Sequence, residues 1–315
     1  MSLALPLAET VMSLEFIAQQ VVIGLASGSL IALVALGYTM VYGVVGLVNF
    51  AHGDLFMLGG CLAVTLVEAA GPPQAGAPAA VGILLLVVLC GLFCGGLNLA
   101  VDRLVYRPLR ESPKLAPLVS SIGVSFIFMN LGLFWIGPSD RSFPSLVPAD
   151  NLLPFESLRF SSRDLLVVAV VVPLMAGLAV LVRSTRSGKA MRAVAQDPTA
   201  AALVGVNVEK VIGATFFLGG FLAGAASVVY AATITTIGFQ MGFQTGLYAF
   251  TAAVLGGIGS IPGAVVGGLV IGLVRALGGA CLGERWAGGI VFAVLIAVLV
   301  FRPEGLFGRR QREKV

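Results

Sequence analysis

Apolar stretches of roughly membrane-crossing length alternate with short polar or basic links along almost the whole chain. The apolar segments run over about 16–47, 54–70, 79–101, 115–137, 164–182, 211–235, 246–258, 262–279 and 286–301. About 20 apolar residues in a helix cross a hydrocarbon core of about 30 Å, so the pattern predicts an all-α fold, a polytopic transmembrane helix bundle with about eight to ten membrane segments, some broken or re-entrant. The first segment is long for one span and is predicted to hold a helix plus a broken or partial second one. The stretch 246–258 is short for a span. The links 48–53 and 259–261 carry no Lys or Arg. They are predicted to turn at membrane depth, where protein or water must satisfy the backbone.

Composition narrows the function classes. Of 315 residues, 58% are hydrophobic and 11% charged, with a mean hydropathy of +1.03. Soluble domains carry about 25% charge, so a soluble enzyme, a nucleic-acid binder and a disordered chain are all poor fits. One transmembrane domain over 1–315 is predicted. The 41 glycines include small-xxx-small steps at Gly24/Gly28, Gly91/Gly95, Gly220/Gly224, Gly263/Gly267 and Gly268/Gly272, which let helix backbones approach closely. They support a tight bundle without naming a function.

The net charge is +4, and it reads as topology rather than as nucleic-acid affinity. Arg103, Arg107, Arg110 and Lys114 form one basic cluster. Arg183, Arg186, Lys189, Arg192 and Lys210 form a second, and Arg302, Arg309, Arg310, Arg312 and Lys314 a third. Basic loops stay cytoplasmic. This places 183–210 and the basic tail 302–315 inside, the charge-balanced loop 138–163 on the periplasmic side, and the N-terminus outside. Loop 138–163, with Pro138, Pro144, Pro148 and Pro154, is either a short cap over the outer mouth or a plain connector. Glu9 and Glu15 stand where a cleavable signal peptide would need basic residues. Cys61, Cys90, Cys94 and Cys281 sit in or beside apolar runs without accompanying His, and read as buried small hydrophobes rather than ligands or disulfides.

Three stretches carry candidate chemistry. Asn49-Phe50-Ala51-His52-Gly53-Asp54 sets three polar side chains between apolar segments. Asp54 can cap the following helix, Asn49 can end the preceding one and Gly53 can permit the turn. Equally, Asn49, His52 and Asp54 can line a translocation path, since ionisable groups inside a membrane are functional candidates. The second stretch, Asp197 to Gly205, reads as a short cytoplasmic helix: Asp197 suits the N-cap, Pro198 the first position and Gly205 the left-handed C′ position. Two turns are unstable alone, so its Ala face must dock, on its own bundle or in a shallow cleft of a partner. The third is Val254-Leu255-Gly256-Gly257-Ile258-Gly259-Ser260-Ile261-Pro262-Gly263. Gly256, Gly257 and Gly259 can form unwound backbone along a path, or a tight helix–helix turn. Paired breaks in two halves of a chain point to a transporter's central path. Arg275 reads as an interfacial snorkelling residue facing Glu284. No G-x-x-x-x-G-K-[S/T] phosphate loop is present.

Together these stretches resemble the membrane permease subunits of branched-chain amino acid ABC importers, of the LivH type. The matching residues are Ala35 to Gly43, Val48 to Asp54, Gly188 to Ala193, Asp197 to Gly205 and Phe250 to Ala264, and the likeness spans about 20–305. The resemblance implies a bacterial inner-membrane permease working by alternating access. A second, related permease of the LivM type would complete the path, two cytoplasmic ATPase subunits would supply ATP and Mg chemistry, and a periplasmic binding protein would deliver the solute. No cofactor would sit in this chain. Asp197, Pro198, Ala201, Ala202, Leu203 and Gly205 would form the coupling helix in an ATPase cleft. Relatives move urea, short amides or other amino acids, so the solute is open within that set. The rival from another class is an ion-coupled secondary transporter using Asp54 and His52. An intramembrane enzyme built on His52 lacks partner residues.

Overall fold

The computed structural model describes residues 14–71, 77–110, 112–113, 115–152, 154 and 158–308. Lys114, Glu156, Glu9 and the basic residues from Arg309 to Lys314 lie outside the described residues. The elements are α1 (Leu14–Val45), α2 (His52–Ala70), α3 (Ala77–Val101), α4 (Leu115–Ile136), β1 (Arg141–Ser142), α5 (Ser162–Ser184), α6 (Arg186–Gln196), α7 (Pro198–Leu203), α8 (Val208–Ile234), β2 (Thr236–Ile237), α9 (Met241–Gly256), α10 (Ile261–Leu282) and α11 (Glu284–Phe301). Eight helices among the described residues are long and apolar enough to cross a membrane. The bundle is all-α, as the apolar pattern predicts, and β1 and β2 add only a two-residue antiparallel pairing.

The first long segment departs from expectation. It is one continuous helix of 32 residues, not a helix plus a broken second one. Its interior holds no proline, and its glycines sit where neighbouring helices cross it. Gly28 faces the backbone of Gly268 and Leu269 on α10, where a Cβ would come within 2.9 Å. From Leu30 to Val41 the helix is buried on every side, because α8, α9 and α10 pack around it. The break falls after α1, at Gly46 (φ +71°).

α8 is the second central helix. Its Gly220 and Gly224 lie against the carbonyls of Cys94 and Cys90 on α3, which makes those two cysteines part of a helix seam. Cys61, Cys90 and Cys94 are buried as expected, but Cys281 is exposed at the end of α10. Outer helices α3, α4, α5 and α11 turn Leu84, Leu85, Phe126, Phe134, Val172 and Phe301 outward, the surface that a hydrocarbon solvent accepts without cost.

Two ends can be told apart. Arg107 and Arg110 pair with Glu209 at the start of α8, and Arg192 donates to the Val182 carbonyl, so two basic clusters share one end. The segment after α11 joins them: Leu306 and Phe307 donate backbone bonds to Leu255 and Gly256. The α9–α10 turn with Gly257 (φ +97°) and Gly259 (φ +93°) therefore sits towards this basic end, beside Gly43 near the end of α1. α9, with 16 residues, is about 24 Å long and is not among the eight membrane-length helices.

At the opposite end the described residues of 137–152 and 158–161 are folded down as a cap. Its Phe143 and Leu146 are buried, β1 pairs with β2, and Arg163 ties the segment down through the Val147 and Thr233 carbonyls and the Ser145 hydroxyl. A Ser161–Asp164 capping box starts α5 beneath it. Arg275 pairs with Glu284 at 2.9 Å, the predicted partner, and also stacks over Tyr248.

A testable consequence follows for the α1–α10 seam. A Cβ on Gly272 would run into the Gly24 carbonyl and the Gly28 backbone, neither of which can rotate away. Gly272→Val is expected to cost about 1–3 kcal/mol or more by overpacking, read as a lowered thermal midpoint in detergent. Gly123→Val on α4, where a Cβ meets open space, should leave the midpoint nearly unchanged.

Candidate functional site

The link after Gly46 does not carry the chain out of the bundle. It turns back inside it, and α2 begins partway along α1: His52 lies against Gly37, and Gly53 against Gly242 and Gly246 of α9. Further on, Gly60 meets Ile237 near the capped end. Gly37 lies eight residues before the end of α1, about 12 Å from it. The polar residues of this link are thus held in the interior of the bundle.

Backbone groups exposed by the break need partners, and Asn49 supplies them. Its Oδ1 accepts from the Ala51 amide (3.1 Å) and the Tyr106 hydroxyl (3.1 Å). Its Nδ2 donates to Asn98 Oδ1 (3.0 Å), and Asn98 in turn donates to the Phe216 carbonyl (2.7 Å). One side chain therefore ties the link to α3 and, through Asn98, to α8. Tyr106 reaches it from a single π turn, Asp102–Tyr106, an insertion that re-aims side chains and recurs at functional positions.

The expected capping roles change. α2 starts at His52, so Asp54 lies inside its first turn and the Asn49 side chain takes the place next to the helix start. α1 ends at Val45 rather than at Asn49, and the turn residue is Gly46 rather than Gly53. Gly53 is helical and small because α9 crosses there. Asp54 is 2% exposed and its Oδ2 accepts from the Ser125 hydroxyl of α4 at 2.5 Å. His52 is fully buried, edge-on to Tyr38 at 4.7 Å, and neither ring nitrogen has a hydrogen-bond partner.

Asp54 and Ser125 open onto a chamber of about 260 Å³ between α1, α2, α4 and α9. Its walls are otherwise apolar, with Ile122, Phe126 and Met129 from α4, and Phe243, Leu247 and Phe250 from α9. That volume is just under the about 300–1,000 Å³ of pockets for drug-sized ligands, which suits a small solute. A larger recess of about 960 Å³ at the capped end shares the Met129, Phe243 and Leu247 walls with the chamber, so the two are adjacent. Towards the basic end the way is shut: Phe250 stacks near both Tyr38 and Phe50, at 6.2 and 5.9 Å between ring centres. Only about 10 Å³ of space remains beside Tyr38, Tyr42 and Phe250.

Asn49, His52 and Asp54 are thus brought together, and of the three only Asp54 lines the chamber. Gly256, Gly257 and Gly259 do not line it. Gly256 lies where α9 crosses Gly263 of α10, and Gly257 and Gly259 shape the turn covered by Phe307 and Gly308. Sequence reasoning missed Tyr38, Ser125 and the α4 and α9 walls. The one local signal was Ser121 and Ser125, polar at an i, i+4 spacing within an apolar run.

Helix α7 has the predicted ends, one residue shorter. Asp197 accepts from the Thr199 and Ala200 amides. At the other end, Gly205 (φ +85°) donates to Ala202 and Val206 to Ala201, a Schellman closure. Its exposure differs from expectation. Ala201 is 3% exposed, packed within the chain, whereas Leu203 and Val204 are 85% and 79% exposed. The preceding helix α6, capped by Thr185, was expected as loop.

The chain is similar throughout to known membrane permeases. A family model described as the permease component of branched-chain amino acid transport systems matches residues 20–299. The high-affinity branched-chain amino acid transport system permease protein BraD of Pseudomonas aeruginosa is 37% identical over 94% of this chain and 97% of its own length. The corresponding protein LivH of Escherichia coli K12 is 38% identical with the same coverage, and a probable LivH of Methanocaldococcus jannaschii is 28% identical over 89% of each chain. Among solved structures, PsaBC from Streptococcus pneumoniae in complex with Fab aligns with a TM-score of 0.53 at 14% identity, over 90% of this chain and 91% of that one, a likeness of fold.

The asparagine network yields a stability prediction. Asn98→Leu strips Asn49 Nδ2 of its partner, an unsatisfied buried donor costing about 1–3 kcal/mol, and removes the second bond to the Phe216 carbonyl. The thermal midpoint should fall more than for Tyr106→Phe, which removes one hydroxyl. Equal midpoints for the two variants would show that the network does not hold the link.

Proposed function

The chain belongs to the family of permease components of branched-chain amino acid transport systems, and from that premise we propose that its chamber is one wall of the path by which branched-chain or similar hydrophobic amino acids enter the cell. The chain is a multi-pass subunit of a bacterial inner-membrane ABC importer. The observation that carries the reading is the asymmetry of the chamber. It adjoins a wide recess at the capped end, with which it shares three wall residues, and is closed by Tyr38, Phe50 and Phe250 towards the basic end.

Orientation follows from charge. Basic clusters favour the cytoplasm, so 183–210 and the tail lie inside and 138–163 faces the periplasm, where a binding protein hands over the solute. The structure then corresponds to an outward-facing state, and alternating access requires the Tyr38–Phe250 closure to open as the recess closes. With no phosphate loop in the sequence, the work comes from ATP and Mg on two partner ATPase subunits. A second permease of the LivM type covers the open side of the chamber, where Ile122, Phe126 and Phe243 are exposed.

Coupling runs through α7, whose two exposed apolar side chains form the projecting knob. Ala202, Pro198, Asp197 and Gly205 set its shape, and Ala201 holds it to α6 and α8. The decisive experiment is uptake of radiolabelled L-leucine into proteoliposomes. The reading requires ATP, the ATPase subunits and the binding protein together. Uptake by this chain alone, driven by an ion gradient, would overturn it.

Leu203→Asp and Val204→Asp are expected to weaken co-purification of the ATPase subunits by about tenfold or more, near 1.4 kcal/mol, without lowering the chain's own thermal midpoint. Ala201→Arg should instead lower that midpoint, because it forces a charge into a packed position.

A further inference from the structure

Asp54 is an acid without a base. Among the described residues no Lys, Arg or His lies within ion-pair distance of it; the ion pairs are those of Arg107, Arg110 and Arg275. One carboxylate oxygen is held by Ser125. The other lies beside Gly242 of α9, where a Cβ would come within 2.9 Å of it. The α9 backbone approaches that oxygen closely at this glycine, where a side chain would not fit. An ionised carboxylate in an apolar enclosure is costly unless a positive group compensates it. The chain places this one at the wall of a chamber sized for a small solute and adjacent to the wide recess.

We propose that Asp54 receives the α-ammonium group of the passing amino acid, while the aliphatic side chain lies against Ile122, Phe126, Met129 and Leu247. The inference rests on the transport reading above and assigns a solute-binding group within it. Ser125 orients the carboxylate by donating one hydrogen bond and leaves the remaining lone pairs for the ammonium. The apolar walls strengthen that contact by keeping water away, and they accept leucine, isoleucine or valine without a directional demand. The permease then adds a chemical check of its own: a solute must bring both a cation and an apolar body of limited size. A neutral amide of the same shape would leave the carboxylate uncompensated and should pass poorly. His52 does not serve as the missing cation, since it is turned towards Tyr38 and Gly37 and does not line the chamber.

The test uses the complete transporter: this chain with its permease partner, ATPase subunits and binding protein, in proteoliposomes. Asp54→Asn keeps the shape and a partner for Ser125 but removes the charge. L-leucine uptake should fall at least about tenfold, equivalent to about 1.4 kcal/mol, while ATP hydrolysis stimulated by the loaded binding protein persists. Asp54→Glu should recover part of the uptake, and Glu68→Gln, on the exposed side of the same helix, should change nothing. Undiminished uptake by Asp54→Asn overturns the proposal.

A second arm keeps Asp54 intact and so does not depend on that variant assembling. Met129→Cys, in a Cys281→Ser background, places a thiol on the chamber wall, and its rate of alkylation is followed with added isoamylamine or isocaproate. Slowing by the amine and not by the acid supports ammonium recognition; equal slowing by both, or by neither, rejects it. If the unmodified transporter takes up no leucine, the functional reading itself has failed, whereas normal uptake together with either rejecting outcome removes only the role of Asp54.

Discussion

Inside a membrane no water stands ready to satisfy an exposed amide or carbonyl. Everything distinctive about this bundle follows from its having broken that rule in one place. Between Val45 and His52 the chain leaves the helix and re-enters the bundle interior. The Ala51 amide freed there is answered by Asn49, whose side chain is held in turn by Asn98 from α3 and Tyr106 from the π turn. The gain is that α2 begins in the interior. Its first turn can then hold a carboxylate, Asp54, beside a chamber rather than at the membrane surface.

The same economy explains the small residues. Lipid supplies no hydrophobic drive to bring helices together, so close van der Waals packing has to do it. α1, α8 and α10 approach one another backbone to backbone at glycines, which buries the centre of α1 completely. Bulk is then concentrated where space must be controlled. Phe50, Phe250 and Tyr38 form the closure of the chamber, and Phe126, Met129 and Phe243 form its walls. The central helices are rigid by composition, and the aromatic residues at the chamber are the ones whose rotation could open or close it.

Much of this could be read in the chain itself. Apolar length gave the spans, basic clustering gave one end, and the Asp197–Gly205 pattern gave α7 with both of its caps, because capping is local chemistry that a sequence displays directly. What escaped was tertiary. The first apolar run is one helix because α8, α9 and α10 support its glycines, a fact that no window of α1 contains. Ala201 is buried and Leu203 exposed because α6, unrecognised in the sequence, decides which face of α7 is covered. The Gly256–Gly259 break lies at the basic end because Leu306 and Phe307 bind it there. The chamber was invisible for the same reason: Asp54 and Ser125 are 71 positions apart, and neither residue announces the other.

The position of Asn49 also connects two parts of the molecule that the sequence keeps far apart. α8 begins with Glu209 directly after α7. Glu209 bonds both Arg107 and Arg110, Arg110 bonds Asp102 at the start of the π turn, and Tyr106 at the end of that turn bonds Asn49. Ion pairs, the π turn and a hydrogen bond therefore join the start of α8, just after α7, to the link that precedes Asp54. Contiguity alone is not coupling. It does mean that a shift in the start of α8 must either break the partly exposed pairs of Glu209 with Arg107 and Arg110 or, through Arg110 and the buried Asp102, move the π turn with it. A π turn is a helix already carrying one residue too many, so it can absorb or return that residue with less disturbance than a regular helix. The π turn thus stands between the end of α7 and the chamber wall that carries Asp54.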